Sequence, residues 1–166
     1  NCHHSSGDVD AAIAEARNAI EIYKKFNASP EVLESVYTFL GGHLSESKRY
    51  EEAIAAFSHA IDLNHDHEGS AENLDALLLW RVNASLNSRQ LDVGFQDIKE
   101  MLERNPGDKN ARLWRATFNF EAGDYKTAAT EWLDLLQDSP DDKALLINCV
   151  GVLAGAPDDE VRDGRK

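Results

Sequence analysis

Two cysteines in 166 residues, Cys2 and Cys149, are too few for a disulfide framework. That scarcity suits a reducing compartment, and Cys149, on an apolar stretch, reads as a small core residue. Proline (four) and glycine (ten) are sparse, which disfavours collagenous and low-complexity chains and fits a soluble helical protein. No apolar run approaches the roughly 20 residues of a membrane span; Leu77-Leu78-Leu79-Trp80 reads as a buried helix face, broken by Arg81 and Asn83. No segment reads as a secretory signal. Basic residues are few, 17 Lys and Arg against 30 Asp and Glu, for a formal net charge of −13. A nucleic-acid surface needs concentrated Lys and Arg, so nucleic acid is not the expected partner. The acidity favours a basic partner, or serves solubility. Asp97, Glu100, Glu103, Glu131 and Asp134 are expected on outer helix faces, facing water.

What is present is a repeat. Leu79-Trp80-Arg81 returns as Leu113-Trp114-Arg115, and Asn105-Pro106-Gly107-Asp108-Lys109 as Ser139-Pro140-Asp141-Asp142-Lys143. Trp80 to Trp114, Pro106 to Pro140 and Gly94 to Ala128 share one spacing, about 34 residues. A fixed period of that length without strand signals marks a helix-turn-helix solenoid. Small residues, Gly41, Ala53, Gly94, Ala116 and Ala128, stand where paired helices must cross closely. Large ones, Tyr37, Phe57, Ile98 and Trp132, fill the space beside each crossing. Ala53, Ile54, Phe57, Ala60 and Ile61 form a stripe at helical spacing.

From about residue 8 to 155 the chain resembles the tetratricopeptide repeat family. The clearest unit carries Tyr37, Leu40-Gly41 and Leu44, then Tyr50-Glu51-Glu52-Ala53-Ile54, Phe57 and Ala60-Ile61. A later unit carries Ala116, Gly123-Asp124-Tyr125, Ala128, Trp132 and a closing Pro140. Between them is a weaker match, with Gly94, Ile98 and Pro106 in register but Arg89 at the turn glycine and Leu91 at the tyrosine. The resemblance implies an all-α fold, an α-solenoid of about seven helices in antiparallel pairs, wound as a right-handed superhelical array.

The expected organisation is a disordered start or tag remnant at 1–7 and a repeat domain at 8–155, then a charged tail at 156–166. Within the domain, 8–33 is a lone second helix of a partial unit, either a fragment of a longer array or a cap. Units follow at 34–67, 68–108 and 109–142, and 143–155 is a capping helix. The interval from Gly7 to Lys48, and again from Lys48 to Arg89, is longer than that from Arg89 to Gly123. The excess is roughly seven residues, close to two helical turns, which keeps the apolar stripe in phase. It is expected to lengthen helices around Asn27–Leu33 and Glu68–Leu74. Such long repeats resemble those of kinesin light chains.

Little in the chain suggests catalysis. Asn64-His65-Asp66-His67-Glu68 offers nitrogen and oxygen donors for a metal. Its echo of a calcium loop from Asp62 fails, with His67 at the glycine place and Asn73 at the closing glutamate. A polar loop between repeats is the favoured reading. His43 and His59 are isolated on helices, and no nucleophile motif or phosphate loop is present. No metal and no cofactor are expected. Asn83-Ala84-Ser85 fits a glycosylation acceptor but falls within a helix, and Asn27-Ala28-Ser29 is followed by Pro30. Arg81 and Arg115 are expected to cap tryptophan rings or to pair between adjacent repeats.

In the family, first helices of successive units line a concave groove. Carried over by register, Thr38, Leu79, Leu113 and Ile147 form one row there. Gly42, Asn83, Thr117 and Gly151 form the next, with Leu86 and Phe120 a turn later. Apolar rows with asparagine and threonine suit a peptide with hydrophobic anchors. Family members that grip acidic chaperone C-termini use a clamp of Lys, Arg and Asn. The matching positions here are Thr38, Gly42, Trp80, Asn110 and Trp114, so this chain is not expected to be a carboxylate-clamp chaperone binder. The resulting expectation is a non-enzymatic, cytoplasmic protein–protein interaction module. Its alternatives are an assembly segment of a multi-subunit complex and a regulatory region of a larger enzyme.

Overall fold

The structure is a computed structural model that describes residues 6–67 and 69–155. Eight helices follow one another: α1 (Ser6–Lys25), α2 (Pro30–Glu46), α3 (Tyr50–Asp66), α4 (Ala71–Ser88), α5 (Leu91–Arg104), α6 (Lys109–Glu121), α7 (Tyr125–Asp138) and α8 (Lys143–Gly155). There is no strand among the described residues. The count is one more than the seven or so expected. Of the start expected at 1–7, residues 1–5 lie outside the described residues, while Ser6 and Gly7 open α1; the tail from Ala156 also lies outside.

The long intervals lengthen helices partly where expected: residues 30–33 and 71–74 open α2 (17 residues) and α4 (18), while 26–29 and 69–70 are not helical. α3 is also long (17), against 14 in α5 and 13 in α6.

The chain divides into two compact units, residues up to Asp97 and residues from Ile98. In the first, α1 packs on α2, α2 on α3 and α3 on α4. Ile13, Ala16 and Ile20 of α1 are buried there with Leu40 and Leu44 of α2, Phe57 and Ile61 of α3, and Leu77, Leu78 and Val82 of α4. In the second, α7 packs on both α6 and α8. Its core joins Ala116, Ala128, Trp132, Leu135, Leu145, Cys149 and Val152.

The small positions are buried as their spacing requires. Ala53, Ala116 and Ala128 are fully covered, and a Cβ on Gly41 would lie 2.7 Å from Cδ1 of Phe57. Ala128→Leu is therefore expected to destabilise by about 1–3 kcal/mol, because a filled crossing takes added volume only with strain. An unchanged denaturation midpoint would show that the crossing is looser than its burial implies.

Helix ends follow local chemistry. Asp108 and Asp142, equivalent in the repeat, both cap helix N-termini: Ala111 N donates to Asp108 Oδ1 at 2.8 Å, and Leu145 N to Asp142 Oδ1 at 3.2 Å. The repeat turn keeps its backbone although its residue changes. Lys48, Arg89 and Gly123 are all left-handed, with φ of 59°, 60° and 86°. Only glycine adopts that region without steric cost. Lys48→Gly is expected to raise stability and Gly123→Ala to lower it, each by roughly 1 kcal/mol. Chemical denaturation should show these opposite signs.

Candidate functional site

In the first unit a groove of about 440 Å³ opens between α2 and α4. Its α2 wall carries Thr38, Phe39, Gly42, His43, Ser45 and Glu46; α4 supplies Trp80 and Asn83, with Phe57 of α3 beneath. Phe57 is fully buried, but Phe39 is 52% exposed and Trp80 48%. Aromatics at that exposure belong to the surface, not to the core. Phe57 and Trp80 have ring centroids 6.0 Å apart, and Phe39 meets the His43 ring edge-on at 4.3 Å. His43 Nδ1 lies 3.0 Å from Glu46 Oε2 at the rim. Ser45 Oγ is buried without a hydrogen-bond partner. A second cleft of about 270 Å³ shares Thr38 and Trp80 and reaches Glu34 and Asn73.

Of the ten residues placed in the groove rows by register, Thr38, Gly42 and Asn83 line this one. The Thr38 hydroxyl donates to its own helix at Glu34 O, 2.8 Å away. Leu79 and Leu86 are half-buried and do not line it. In the second unit, Leu113 and Phe120 pack against the core, Phe120 with ring contacts to Tyr125 (5.3 Å) and Trp132 (5.6 Å). Thr117 Oγ1 donates to Leu113 O at 2.9 Å. Ile147 is 70% exposed on α8. Phe39, His43, Ser45, Glu46 and Trp80 line the groove outside the rows that the register defines. The apolar run Leu77–Trp80 suggested a buried tryptophan, whereas its indole lies half open over Phe57. The only signal that could have placed it was register, since Trp80 stands at a clamp position.

Two polar clusters that invited chemistry are structural. Arg81 Nε donates to Asp97 Oδ2 at 2.9 Å and Nη2 to Oδ1 at 2.5 Å, while Nη1 donates to Ser58 Oγ at 2.8 Å. Asp97 is only 1% exposed, which corrects its expected place on a solvated face. Burial pushes its carboxyl upward, against the opposing pull of Arg81. The pair returns one repeat later, with Arg115 Nε 2.6 Å from the half-buried Glu131. Both arginines thus pair with the following helix of their own repeat, not simply between repeats.

The histidine-rich segment, expected as a loop, is instead the end of α3, with His67 just past its last residue, and it acts as a clasp. His67 Nε2 lies 2.6 Å from Glu34 Oε2, and Asn64 Nδ2 donates to the same oxygen at 3.3 Å. The end of α3 is thereby tied to the start of α2. Among the described residues no group of three or more His, Cys, Asp and Glu could hold a metal; Glu68 lies outside them. The hydrogen bond to Glu34 holds the His67 pKa above the usual histidine value. A raised folded-state pKa contributes stability that is complete below about 6.5 and is lost as pH rises through the raised value. The melting midpoint is expected to fall as pH rises above about 6.5, and His67→Gln should flatten that slope. An equal slope in the variant would show that the clasp does not titrate as described.

The fold and groove define an all-α helix-repeat protein of the α-solenoid class. A tetratricopeptide repeat family model matches residues 81–143, which supports a tetratricopeptide repeat in that stretch. The match lies where the period has settled to its shorter value and leaves out the stretch with the long intervals. No curated protein matches the chain at a significant level. Repeats of this family generally mediate protein–protein interactions. No described helix is long and apolar enough to cross a membrane.

Proposed function

We propose that the chain is a protein-interaction module without catalysis of its own, and that its first unit seats a segment of a partner protein between α2 and α4. The observation that carries this reading is the groove, with Phe39 and Trp80 half exposed over a buried Phe57. The repeat units at 34–67, 68–108 and 109–142 belong to the same reading, as does a cytoplasmic location, which the buried free thiol of Cys149 suits.

Gly42 provides the test. A Cβ there would meet nothing within 4 Å, so a side chain enters the groove without disturbing the fold. Gly42→Gln should leave the melting midpoint near its original value and abolish capture of the partner that the unaltered chain captures. Undiminished capture would move the site elsewhere. Leu113 and Phe120 are unsuited to this purpose, since serine at either would disturb the packing around Trp132.

One observation favours the assembly role as a second reading. Val150 on α8 is 64% exposed, whereas Ala116, its equivalent one repeat earlier, is fully buried. Together with Ile147 it forms an apolar face of the kind a subunit contact covers. Changing both to lysine should dissociate such an assembly in sedimentation while leaving capture by the groove intact.

A further inference from the structure

The groove wall carries one carboxylate, Glu46, beside the neutral side chains of Thr38, Ser45 and Asn83. Glu46 contributes a carboxylate that is mostly exposed, with Oε2 against His43 and Oε1 left for a ligand. Ser45 Oγ is buried in the wall with no partner. Elsewhere in this unit hydroxyls bond back to the helix carbonyl one turn earlier, as Thr38 does to Glu34 and Ser58 to Ile54. No Lys or Arg lines the groove. The adjoining cleft adds Glu34, and the chain as a whole carries a net charge of −13. A purely aliphatic occupant would cover the Glu46 carboxylate without pairing it, which is costly for a charged group. A cationic side chain brings N–H donors, and its charge is attracted by aromatic rings.

We propose that the groove takes a basic side chain, arginine or lysine, from the partner protein. Its stem lies against Trp80 and Phe39, and its head is directed toward Glu46. This rests on the groove being the binding surface. It names the chemistry of the anchor and reads the acidity of the chain as part of recognition. Association should weaken with added salt, because the charges involved are partly exposed.

The probe is a displayed library of random twelve-residue peptides selected on the whole chain, with binders then synthesised and measured by calorimetry. Groove binders are expected to carry an arginine or lysine whose replacement by neutral citrulline or norleucine costs roughly twofold to thirtyfold in affinity. Phe39→Ala, Trp80→Ala and Glu46→Gln should each weaken them. Phe39 is at the rim, so it serves if Trp80→Ala fails to fold by circular dichroism. Binders lost on Phe39→Ala but indifferent to the neutral replacements would overturn the basic anchor and leave the groove standing. If every binder ignores Phe39→Ala and Gly42→Gln, or if none is selected, both the anchor and the groove reading fail.

Discussion

Arg81→Met is expected to destabilise the protein by about 3–5 kcal/mol, the loss typical when one partner of a buried ion pair is removed. Asp97, almost wholly buried, would lose the two bonds at 2.9 and 2.5 Å that compensate its charge. It would then either stay ionised without a counter-charge or bind a proton. Burial already raises the Asp97 carboxyl, and without Arg81 it rises further. An acid with a raised folded-state pKa adds stability below its unfolded value, about 3.9, and that stability is lost as pH climbs through the folded value. The deficit of the variant should therefore be smaller near pH 4 than at neutrality. Adding Asp97→Leu should restore most of the loss, since an apolar pair of similar volume often equals a buried ion pair. Urea denaturation of the single and double variants at both pH values checks this. A single variant within about 1 kcal/mol of the parent, the net worth of an exposed pair, would mean that Asp97 reaches water.

Phe57→Ala should cost about as much, roughly 3–5 kcal/mol. The ring is fully buried beside Gly41, which has no side chain to lean into the space vacated. The same closeness makes Gly41→Ala unfavourable by about 1–3 kcal/mol, since the new methyl would overlap the ring. The two changes share one volume, so the double variant should lose less than the sum of the singles. Strict additivity in a double-mutant cycle would show that Gly41 and Phe57 do not meet.

The repeat register made the helix pairs and their crossings legible in the amino-acid sequence, and the caps that the structure adds follow from equally local chemistry. Each is local or periodic chemistry: Asp108 and Asp142 cap because a carboxylate one residue before a helix meets free N–H groups. Gly41, Ala53 and Ala128 are small because a crossing allows nothing larger. The left-handed turn at Arg89 was harder to see, because the backbone keeps it without the glycine that usually signals it.

Sequence alone determined the helical repeat, its period, the small-and-large packing positions and the acidic balance. The tertiary structure decided which polar and aromatic side chains are covered. Asp97 and Glu131 read as surface acids, and nothing in their local sequence shows that an arginine 16 residues earlier closes on each. Trp80 read as core, and its half-open position over Phe57 depends on how α4 lies across α3. The clasp of His67 and Asn64 on Glu34 joins residues far apart in the chain. Burial of such groups is set by the separation and facing of helices, and periodicity along one chain fixes only which residues share a face.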